Sequence, residues 1–379
     1  DLTALATGPK QRRSAGTYER ARLKELPDGP GVYLLKDADG NVFYVGKSIH
    51  VRRRVRDHLG GKTEGQPKLR RHLKTLADVQ AFSTGSELEA LLLEAKLIKQ
   101  YLPVANQQLR ETTHYPFIRI DVQSPYPRVT LTRAPAPDGS LYFGPFRSAR
   151  LVGGVVDYLR GLLGIRECER PASLLPDGRP CLLYDLKKCL GPCIGAVTPD
   201  DYRPAVDRAI GLLRGEWTEI NDGLEARMYE LAEREQFEAA AEIRDVLGEL
   251  RSVVGTHRRL AEMSAYDGII LGPAEGGDCP ALFVRGGRLA HRATLAMPTD
   301  RRRLGILCRQ VYGGPRPGPI TQETVDEAWI LAAWIRQHTS DPRYAIVDVD
   351  PGNLKPALTL VQESLRAWST IPSSPASSG

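Results

Sequence analysis

The chain has 379 residues, a formal net charge of +6 and a pI of about 9.0. This length predicts two or three domains with separate cores, and the positive charge permits nucleic-acid binding. No apolar run approaches a membrane span, and the basic N-terminus lacks the apolar segment of a secretory signal, so we expect a cytoplasmic protein with no membrane contact.

The first predicted element is a β-hairpin. Residues 31–35 read Gly-Val-Tyr-Leu-Leu, residues 41–47 read Asn-Val-Phe-Tyr-Val-Gly-Lys, and a turn containing Asp39-Gly40 joins them. Each strand carries a tyrosine close to a glycine, and a glycine lets a backbone or a phosphate approach closely. The second strand ends at Lys47, which opens a cationic helix. A phenol, an ammonium and a guanidinium that converge here suit attack on a phosphodiester.

Residues 46–75 are strongly basic, with only Asp57 and Glu64 as acids. A solvated helix face usually interleaves acids and bases, so this pattern favours a phosphate-binding surface, although a solvated basic face remains the alternative for any single arginine. The predicted DNA-binding residues are Lys47, Arg52, Arg53, Arg54, Arg56, Lys68, Arg70 and Arg71.

A strand over 79–83 and a helix over 87–100 complete the first predicted domain, residues 24–106. Ser86 and Glu89 have capping-box spacing, and apolar residues cover most sides of the helix, which predicts that it is largely buried. Glu94 lies within this apolar surface. A buried carboxylate needs a partner, so the sequence predicts either a divalent metal or an ion pair with Lys47, Arg54 or Lys99.

The second predicted region, residues 107–200, has short strands near 117–122 and 128–132 and four clustered cysteines. Cys168, Cys181, Cys189 and Cys193 have the spacing C-x12-C-x7-C-x3-C, which suits a Zn²⁺ ion or a [4Fe–4S] cluster. The irregular spacing, without tight C-x2-C knuckles, favours iron–sulfur over zinc. Cys279 and Cys308 stand apart, and we expect them to be buried as small hydrophobic residues.

The remaining predicted regions are helical at 201–256, mixed α/β at 264–368 and disordered at 369–379. An apolar stripe over 224–250 predicts a helical hairpin that packs on its own domain or binds a partner hairpin. The chain as a whole is predicted to be an α+β multidomain protein.

Ordered motifs along the chain carry a family resemblance. Gly31-Val32-Tyr33 and Tyr44-Val45-Gly46 resemble the GIY-YIG nuclease motif, and Leu93-Glu94-Ala95, Asn106, Tyr142 to Phe146 and the four cysteines follow. In this order they resemble the N-terminal half of the UvrC family, nucleases of bacterial nucleotide excision repair, including the shorter relative Cho. The resemblance covers residues 18–290.

The resemblance implies a catalytic set of Tyr33, Tyr44, Lys47, Arg54, His58, Glu94 and Asn106. It implies that Tyr44 helps to activate the attacking water, that Lys47 and Arg54 bind the scissile phosphate, and that Asn106 orients the site. Glu94 would hold Mg²⁺ or Mn²⁺. His58 occupies a place where UvrC proteins commonly have tyrosine, and we expect it to titrate near neutral pH.

The resemblance also implies cofactors and partners. It favours a [4Fe–4S] cluster in the cysteine region, double-stranded damaged DNA as substrate and a UvrB-type helicase subunit as partner. The predicted partner-binding residues are Leu224, Met228, Phe237, Ala241 and Arg244. The expected reaction is one cut on the 3′ side of a lesion, since no second, RNase H-like nuclease is recognised. The alternatives are a non-catalytic adaptor of a repair complex and a stand-alone GIY-YIG nuclease.

Overall fold

The computed structural model describes residues 18, 20–62, 66–106, 115–169, 179–274, 277–297 and 299–369. The chain divides into two compact units, one of residues 1–112 with 263–379 and the other of residues 113–262. Helices and antiparallel sheets occur in both units, which confirms the predicted α+β multidomain class. The finer division into four regions remains a prediction.

The N-terminal part of the first unit is a three-stranded sheet with helices on both faces. The sheet has the order β2-β1-β3 and is antiparallel throughout. One face packs on the first two helices and the other on the third, in two separate apolar clusters. The elements are β1 (Gly31–Lys36), β2 (Val42–Ser48), α1 (Val51–Leu59), α2 (Pro67–His72), β3 (Asp78–Ser83) and α3 (Glu87–Tyr101).

Helix α3 begins at a cap that differs in one bond from the predicted capping box. The Ser86 hydroxyl accepts the N–H of Glu89 at 3.2 Å, as predicted. The Glu89 carboxylate accepts the N–H of Gly85 at 3.0 Å, one residue earlier than the reciprocal bond of a capping box. The helix ends at Leu102, which adopts a left-handed conformation immediately before Pro103.

The C-terminal part of the same unit is a four-stranded antiparallel sheet of order β10-β7-β8-β9. Cys279 and Cys308 are buried in its core, as predicted. The predicted disordered tail lies outside the described residues, except for Ser369, which ends the last helix. The elements are β7 (Asp267–Leu271), β8 (Asp278–Arg285), β9 (Arg288–Ala296), α9 (Arg301–Tyr312), α10 (Val325–His338), β10 (Ala345–Asp348) and α11 (Lys355–Ser369).

The second unit packs helices against a small sheet of order β5-β4-β6. Its last two helices form an antiparallel hairpin, and the second of them continues past the boundary of the unit. No helix among the described residues is long and apolar enough to span a membrane. The elements are β4 (Phe117–Ile120), β5 (Val129–Thr132), β6 (Leu141–Phe143), α4 (Ala149–Leu163), α5 (Leu182–Asp185), α6 (Pro199–Arg214), α7 (Thr218–Glu233) and α8 (Phe237–Ala265).

Candidate active site

The two motif tyrosines meet over a glycine. Tyr33 on β1 stands directly across from Gly46 on β2. A β-carbon on Gly46 would lie 2.6 Å from the Tyr33 phenol oxygen and 2.7 Å from a ring carbon of Tyr44. These distances are shorter than van der Waals contact, so only glycine leaves room for both rings.

Three aromatic rings form a triangle at this point. The ring centroids of Tyr33 and Tyr44 are 6.1 Å apart, and each lies 5.9 Å from the centroid of His58 on α1. The phenol oxygen of Tyr33 is 2.7 Å from Nε2 of His58, within hydrogen-bond distance. The hairpin and α1 therefore bring three of the predicted catalytic side chains together.

His58 does not titrate near neutral pH, contrary to the expectation from the sequence. Burial and, after it, the positive charge of Arg54 lower the pKa of its imidazole to about 4, and the Asp57 carboxylate opposes this shift. The residue is only 1% exposed. The imidazole is therefore neutral at physiological pH. The expectation was wrong because it assumed a solvated side chain on the exposed face of α1.

Both phenols are protonated at neutral pH. Burial raises the pKa of Tyr33 well above its ordinary value, and the Arg54 guanidinium opposes this shift. Burial also raises the pKa of Tyr44, and the Glu94 carboxylate raises it further, while Tyr33 and Arg54 lower it. These mutual effects place Arg54 and Glu94 within electrostatic reach of the tyrosine pair.

Glu94 on α3 faces the end of β2. Its Oε1 accepts the backbone N–H of Lys47 at 3.0 Å. Burial raises the pKa of its carboxyl to about 7, although the charge and the N–H of Lys47 lower it. The protein thus offsets only part of the cost of burying this charge, and we call the carboxylate poorly compensated in this sense. This is the electrostatic condition expected of a group that binds a cation.

Two of the three cations predicted as ion-pair partners of Glu94 pair with other residues. The Lys47 ammonium lies 2.9 Å from Glu87, at the start of α3, and the Lys99 ammonium lies 2.7 Å from Asp326. Within the described part of the chain, Glu94 has no ion pair. Glu87 was not predicted as part of the site, although an acidic residue about two helical turns before Glu94 was visible in the sequence.

The donor set at Glu94 is a single carboxylate. Among the described residues, no three His, Cys, Asp or Glu side chains are grouped to hold one metal ion. Mg²⁺ commonly keeps several water ligands and takes only one or two protein carboxylates. A lone, poorly compensated carboxylate beside two phenols and a lysine is compatible with that mode of binding.

Asn106 supports the site through the backbone of β2. Its side-chain oxygen accepts the Val45 N–H at 2.9 Å, and its amide nitrogen donates to the Val45 carbonyl at 2.8 Å. The side chain therefore pairs with β2 as a neighbouring strand would. Val45 lies between Tyr44 and Gly46, so this pair of bonds fixes the strand segment that carries both site residues.

The predicted basic surface is mostly exposed, with two exceptions, Arg52 and the Lys47 already described, which are partly buried and paired. The Arg52 side chain donates to the Leu26 carbonyl and forms an ion pair with Asp28 at 3.2 Å, which ties it to the loop before β1. The remaining cations of α1 and α2 are exposed, and they are Arg53, Arg54, Arg56, Lys68, Arg70 and Arg71.

The four clustered cysteines share one neighbourhood in the second unit. Cys189 and Cys193 are buried, and Cys168 and Cys181 are partly exposed. Burial raises the pKa of Cys189, the N–H of Gly191 lowers it, and the other three thiols raise it. As noted for the described residues, however, no three of these thiols stand at the separation that a shared metal ion requires.

The predicted partner-binding residues lie on the α7–α8 hairpin. Leu224 and Met228 are half-buried on α7, as is Ala241 on α8. Phe237, at the start of α8, is 66% exposed, and Arg244 is exposed and paired with Asp245. Tyr229, which was not predicted, is 62% exposed and adds a second large uncovered ring to the hairpin.

Three family models match the chain in consecutive segments. A UvrC-like GIY-YIG domain matches residues 29–107, the middle domain of UvrC/Cho excinuclease matches residues 115–212, and the UvrB/uvrC motif matches residues 219–253. The first segment contains the hairpin, α1 and α3, the second contains the four cysteines, and the third contains the α7–α8 hairpin.

Individual relatives agree with these models. The UvrABC system protein C of Acetivibrio thermocellus is 34% identical over 327 residues, which are 83% of this chain and 52% of that protein. That of Moorella thermoacetica is 39% identical over 274 residues, 72% of this chain and 44% of that protein. The chain thus spans about half the length of the curated relatives it matches.

Among solved structures, the chain is similar to the GIY-YIG N-terminal endonuclease domain of UvrC from Thermotoga maritima. That structure is described as bound to its catalytic divalent cation, magnesium. The sequence identity is 32%, the match covers 23% of this chain and 94% of that chain, and the TM-score is 0.21.

Proposed function

The chain belongs to the UvrC family, and on that premise we propose that it is a metal-dependent DNA endonuclease of nucleotide excision repair. The proposed reaction is hydrolysis of one phosphodiester on the 3′ side of a lesion, in a complex of damaged double-stranded DNA with a UvrB-type subunit. The observation that carries the proposal is the meeting of two phenols, a lysine and a poorly compensated carboxylate at one end of β2.

In the proposed reaction, water attacks the phosphorus and one P–O ester bond breaks. The phenol oxygen of Tyr44 accepts a hydrogen bond from this water. Because the Tyr44 phenol is protonated at neutral pH, it takes the water's proton only as its own proton passes to the hydrogen-bonded Tyr33 phenol, whose proton passes to Nε2 of neutral His58. The oxygen that leaves phosphorus takes a proton from solvent water. Tyr33, whose phenol bonds neutral His58, holds its ring against Tyr44.

Lys47 and Arg54 are proposed to bind the scissile phosphate. Cations aimed at a phosphate stabilise the charge that develops in the transition state. Arg54 is exposed beside the tyrosine pair. The Lys47 ammonium has three N–H groups and uses one of them for Glu87, so two remain for the phosphate.

Glu94 is the residue proposed to hold Mg²⁺ or Mn²⁺. A divalent ion there would act as a Lewis acid on the phosphodiester and lower the pKa of bound water. Two features of the protein support this assignment. The Glu94 carboxylate has no ion pair among the described side chains, and the backbone N–H of Lys47 fixes the direction of one of its oxygens.

The cysteine cluster is proposed to hold a [4Fe–4S] cluster, with Zn²⁺ as the alternative. The shared neighbourhood of four thiols and the N–H directed at the Cys189 sulfur support a thiolate-bound metal, and binding would draw the thiols closer. The test is iron, sulfide and zinc analysis of anaerobically purified protein beside Cys189→Ser. Iron and sulfide lost in the variant would support the cluster, and zinc without sulfide would support the alternative.

The α7–α8 hairpin is proposed to bind the UvrB-type subunit. Phe237 and Tyr229 are large, exposed rings on paired helices, which is the usual composition of an interface anchor. The test is calorimetric titration of a UvrB-type subunit with the full chain and with Phe237→Ala. We expect affinity to fall by tenfold or more. Unchanged affinity would place the interface elsewhere.

The central experiment is an incision assay. An end-labelled duplex with one bulky lesion is incubated with Mg²⁺, the UvrB-type subunit and either the wild-type chain or Glu94→Gln. The matched control is Glu363→Gln, which alters an exposed glutamate on α11. We expect a single partner-dependent cut 3′ of the lesion that is lost only in Glu94→Gln.

Two other outcomes would favour the alternatives. A cut of undamaged or branched DNA without the partner would favour a stand-alone GIY-YIG nuclease. No cut by the wild type, with partner binding intact, would favour a non-catalytic adaptor.

A further inference from the structure

Helix α3 has two faces that contact different parts of the protein. Ala90, Leu93 and Leu97 pack on the β1–β2 sheet in one apolar cluster. The opposite face lines a cavity of about 280 Å³ whose other wall comes from the C-terminal part of the unit. The residues around this cavity are Leu92, Ala95, Lys96, Lys99, Leu289, Glu323, Asp326 and Glu327.

The strongest connection across that opposite face is at Lys99. Its ammonium lies 2.7 Å from the Asp326 carboxylate and donates to the Glu323 carbonyl at 2.9 Å. The Asp326 side chain is only 1% exposed. A carboxylate so deeply buried requires its cation, so α10 and the last turn of α3 are held together.

A second connection lies near the start of α3. The Glu89 carboxylate, which caps Gly85, is 3.9 Å from the guanidinium of Arg292 on β9. This pair is longer and therefore weaker than the first. Glu89 is only 8% exposed, whereas the Arg292 side chain is 41% exposed, so the pair is buried at its carboxylate end only.

The two connections stand symmetrically about Glu94. Glu89 and Lys99 lie five residues before and after it, which is about 7.5 Å along the helix axis in each direction. Both lie about 140° around the helix from Glu94, since each residue advances the helix by about 100°. Glu94 therefore projects away from the two anchors and into the nuclease site.

We infer that the C-terminal part of this unit braces the helix that carries Glu94, with Lys99 and Asp326 as positioning residues. The inference rests on the proposed role of Glu94 in cation binding. If the anchor at Lys99 is released, a tilt of α3 by about 10° about the Glu89 anchor displaces Glu94, which lies about 7.5 Å along the axis, by about 1 Å. Reacting groups must be held within about 0.5 Å, and an error of about 1 Å costs about 100-fold in rate.

The test compares Lys99→Met and Asp326→Asn with the wild type, using the full chain. We expect the dissociation constant for Mn²⁺, followed by electron paramagnetic resonance without turnover, to rise at least fivefold. The kcat for incision falls at least tenfold, while the KM for DNA changes by less than twofold. Lys99→Arg keeps a cation opposite Asp326 and should retain most of the activity.

Two further variants separate the brace from simple loss of stability. Asp267 lies on β7, away from α3, and its buried carboxylate pairs with Arg316. Asp267→Asn removes this carboxylate and should leave Mn²⁺ binding unchanged in the folded protein. Arg292→Ala removes the second anchor, and because the Glu89 carboxylate keeps the Gly85 N–H as a hydrogen-bond donor, this variant serves if Asp326→Asn does not fold.

Hydrogen exchange of residues 87–101 tests the brace without any reference to catalysis. We expect protection of α3 to fall in Lys99→Met and Asp326→Asn but not in Asp267→Asn. Unchanged exchange and unchanged Mn²⁺ affinity in both brace variants would overturn the inference. If the wild type neither binds Mn²⁺ nor cuts DNA, the proposed function fails, and the exchange data alone decide whether α3 is braced.

Discussion

The phenol oxygen of Tyr33 lies 2.7 Å from Nε2 of His58, and both side chains are almost completely buried. Burial raises the pKa of the phenol and lowers that of the imidazole, so at neutral pH a neutral acid bonds a neutral base. Such a pair fixes the orientation of Tyr33 without introducing a charge into the core. It also makes the stability of the fold sensitive to mild acid.

The first prediction concerns that sensitivity. The pKa of His58 is about 4 in the folded protein against 6.5 for an unperturbed histidine, so the unfolded chain binds more protons between these values. Stability contributed by neutral His58 is therefore complete above pH 6.5 and is lost as pH falls towards 4. The loss amounts to about 3 kcal/mol.

The measurement is urea unfolding between pH 4 and pH 7 of the wild type, His58→Gln and the exposed control His50→Gln. We expect the slope of stability against pH to be smaller only in His58→Gln. Equal slopes in all three proteins would mean that His58 is not held neutral by burial.

The second prediction is that Gly46→Ala inactivates the nuclease. The new methyl group would overlap the Tyr33 phenol and the Tyr44 ring, so the rings or β2 must shift. We expect a cost of about 1 to 3 kcal/mol in stability and at least a 100-fold loss of incision rate. Gly29→Ala is the matched control, because a β-carbon there meets nothing within 4 Å. Equal activity of the two variants would contradict the geometry.

The sequence predicted the local elements of the nuclease region well, because strong local signals fix them. The Asp-Gly turn and the alternating strands place Tyr33 opposite Gly46, and Ser86 starts α3 as expected. The burial of His58, and with it the lowered pKa of the imidazole, could not be predicted from such local signals. Whether a residue on a short helix is solvated or buried depends on which strand packs beneath it, and this is a tertiary property.

The sequence predicted the secondary structure of the C-terminal region less completely. Gly286-Gly287 forms the turn between β8 and β9 with positive φ at both residues, a recognisable hairpin signal that the prediction of a mixed α/β region did not use. The apolar residues on nearly all sides of α3 predicted a buried helix, and the structure confirms this. The sequence did not show that the second covering surface comes from residues nearly 200 positions later, since such pairings leave no local pattern.

The third prediction concerns Asn106. Its side chain makes both hydrogen bonds to the Val45 backbone, and it is only 8% exposed. Asn106→Ala leaves a buried N–H and a buried carbonyl unpaired, at a cost of about 2 to 4 kcal/mol. We also expect the incision rate to fall, because the Val45 segment of β2 is no longer held in place. Thermal unfolding beside the exposed control Asn353→Ala measures the cost, and a difference below 1 kcal/mol between them would rule out the strand-like pairing.

The fourth prediction is that Glu94→Gln stabilises the cation-free protein while it abolishes incision. The folded-state pKa of Glu94 is about 7 against 4.5 for an unperturbed glutamate. The folded protein therefore binds the extra proton between these values, and stability present below pH 4.5 is lost as pH rises through 7. Above pH 7 the ionised carboxylate costs about 3 kcal/mol, which a neutral amide avoids.

The measurement is thermal unfolding in a chelator at pH 5 and pH 8. We expect Glu94→Gln to be more stable than the wild type at pH 8 and nearly equal to it at pH 5, whereas Glu363→Gln should match the wild type at both. Addition of Mg²⁺ at pH 8 should stabilise the wild type and not the variant, because only the wild type keeps the carboxylate that binds it. A variant less stable than the wild type at pH 8 would show that the carboxylate is compensated by the protein itself, and the argument for a cation at Glu94 would lose its electrostatic basis.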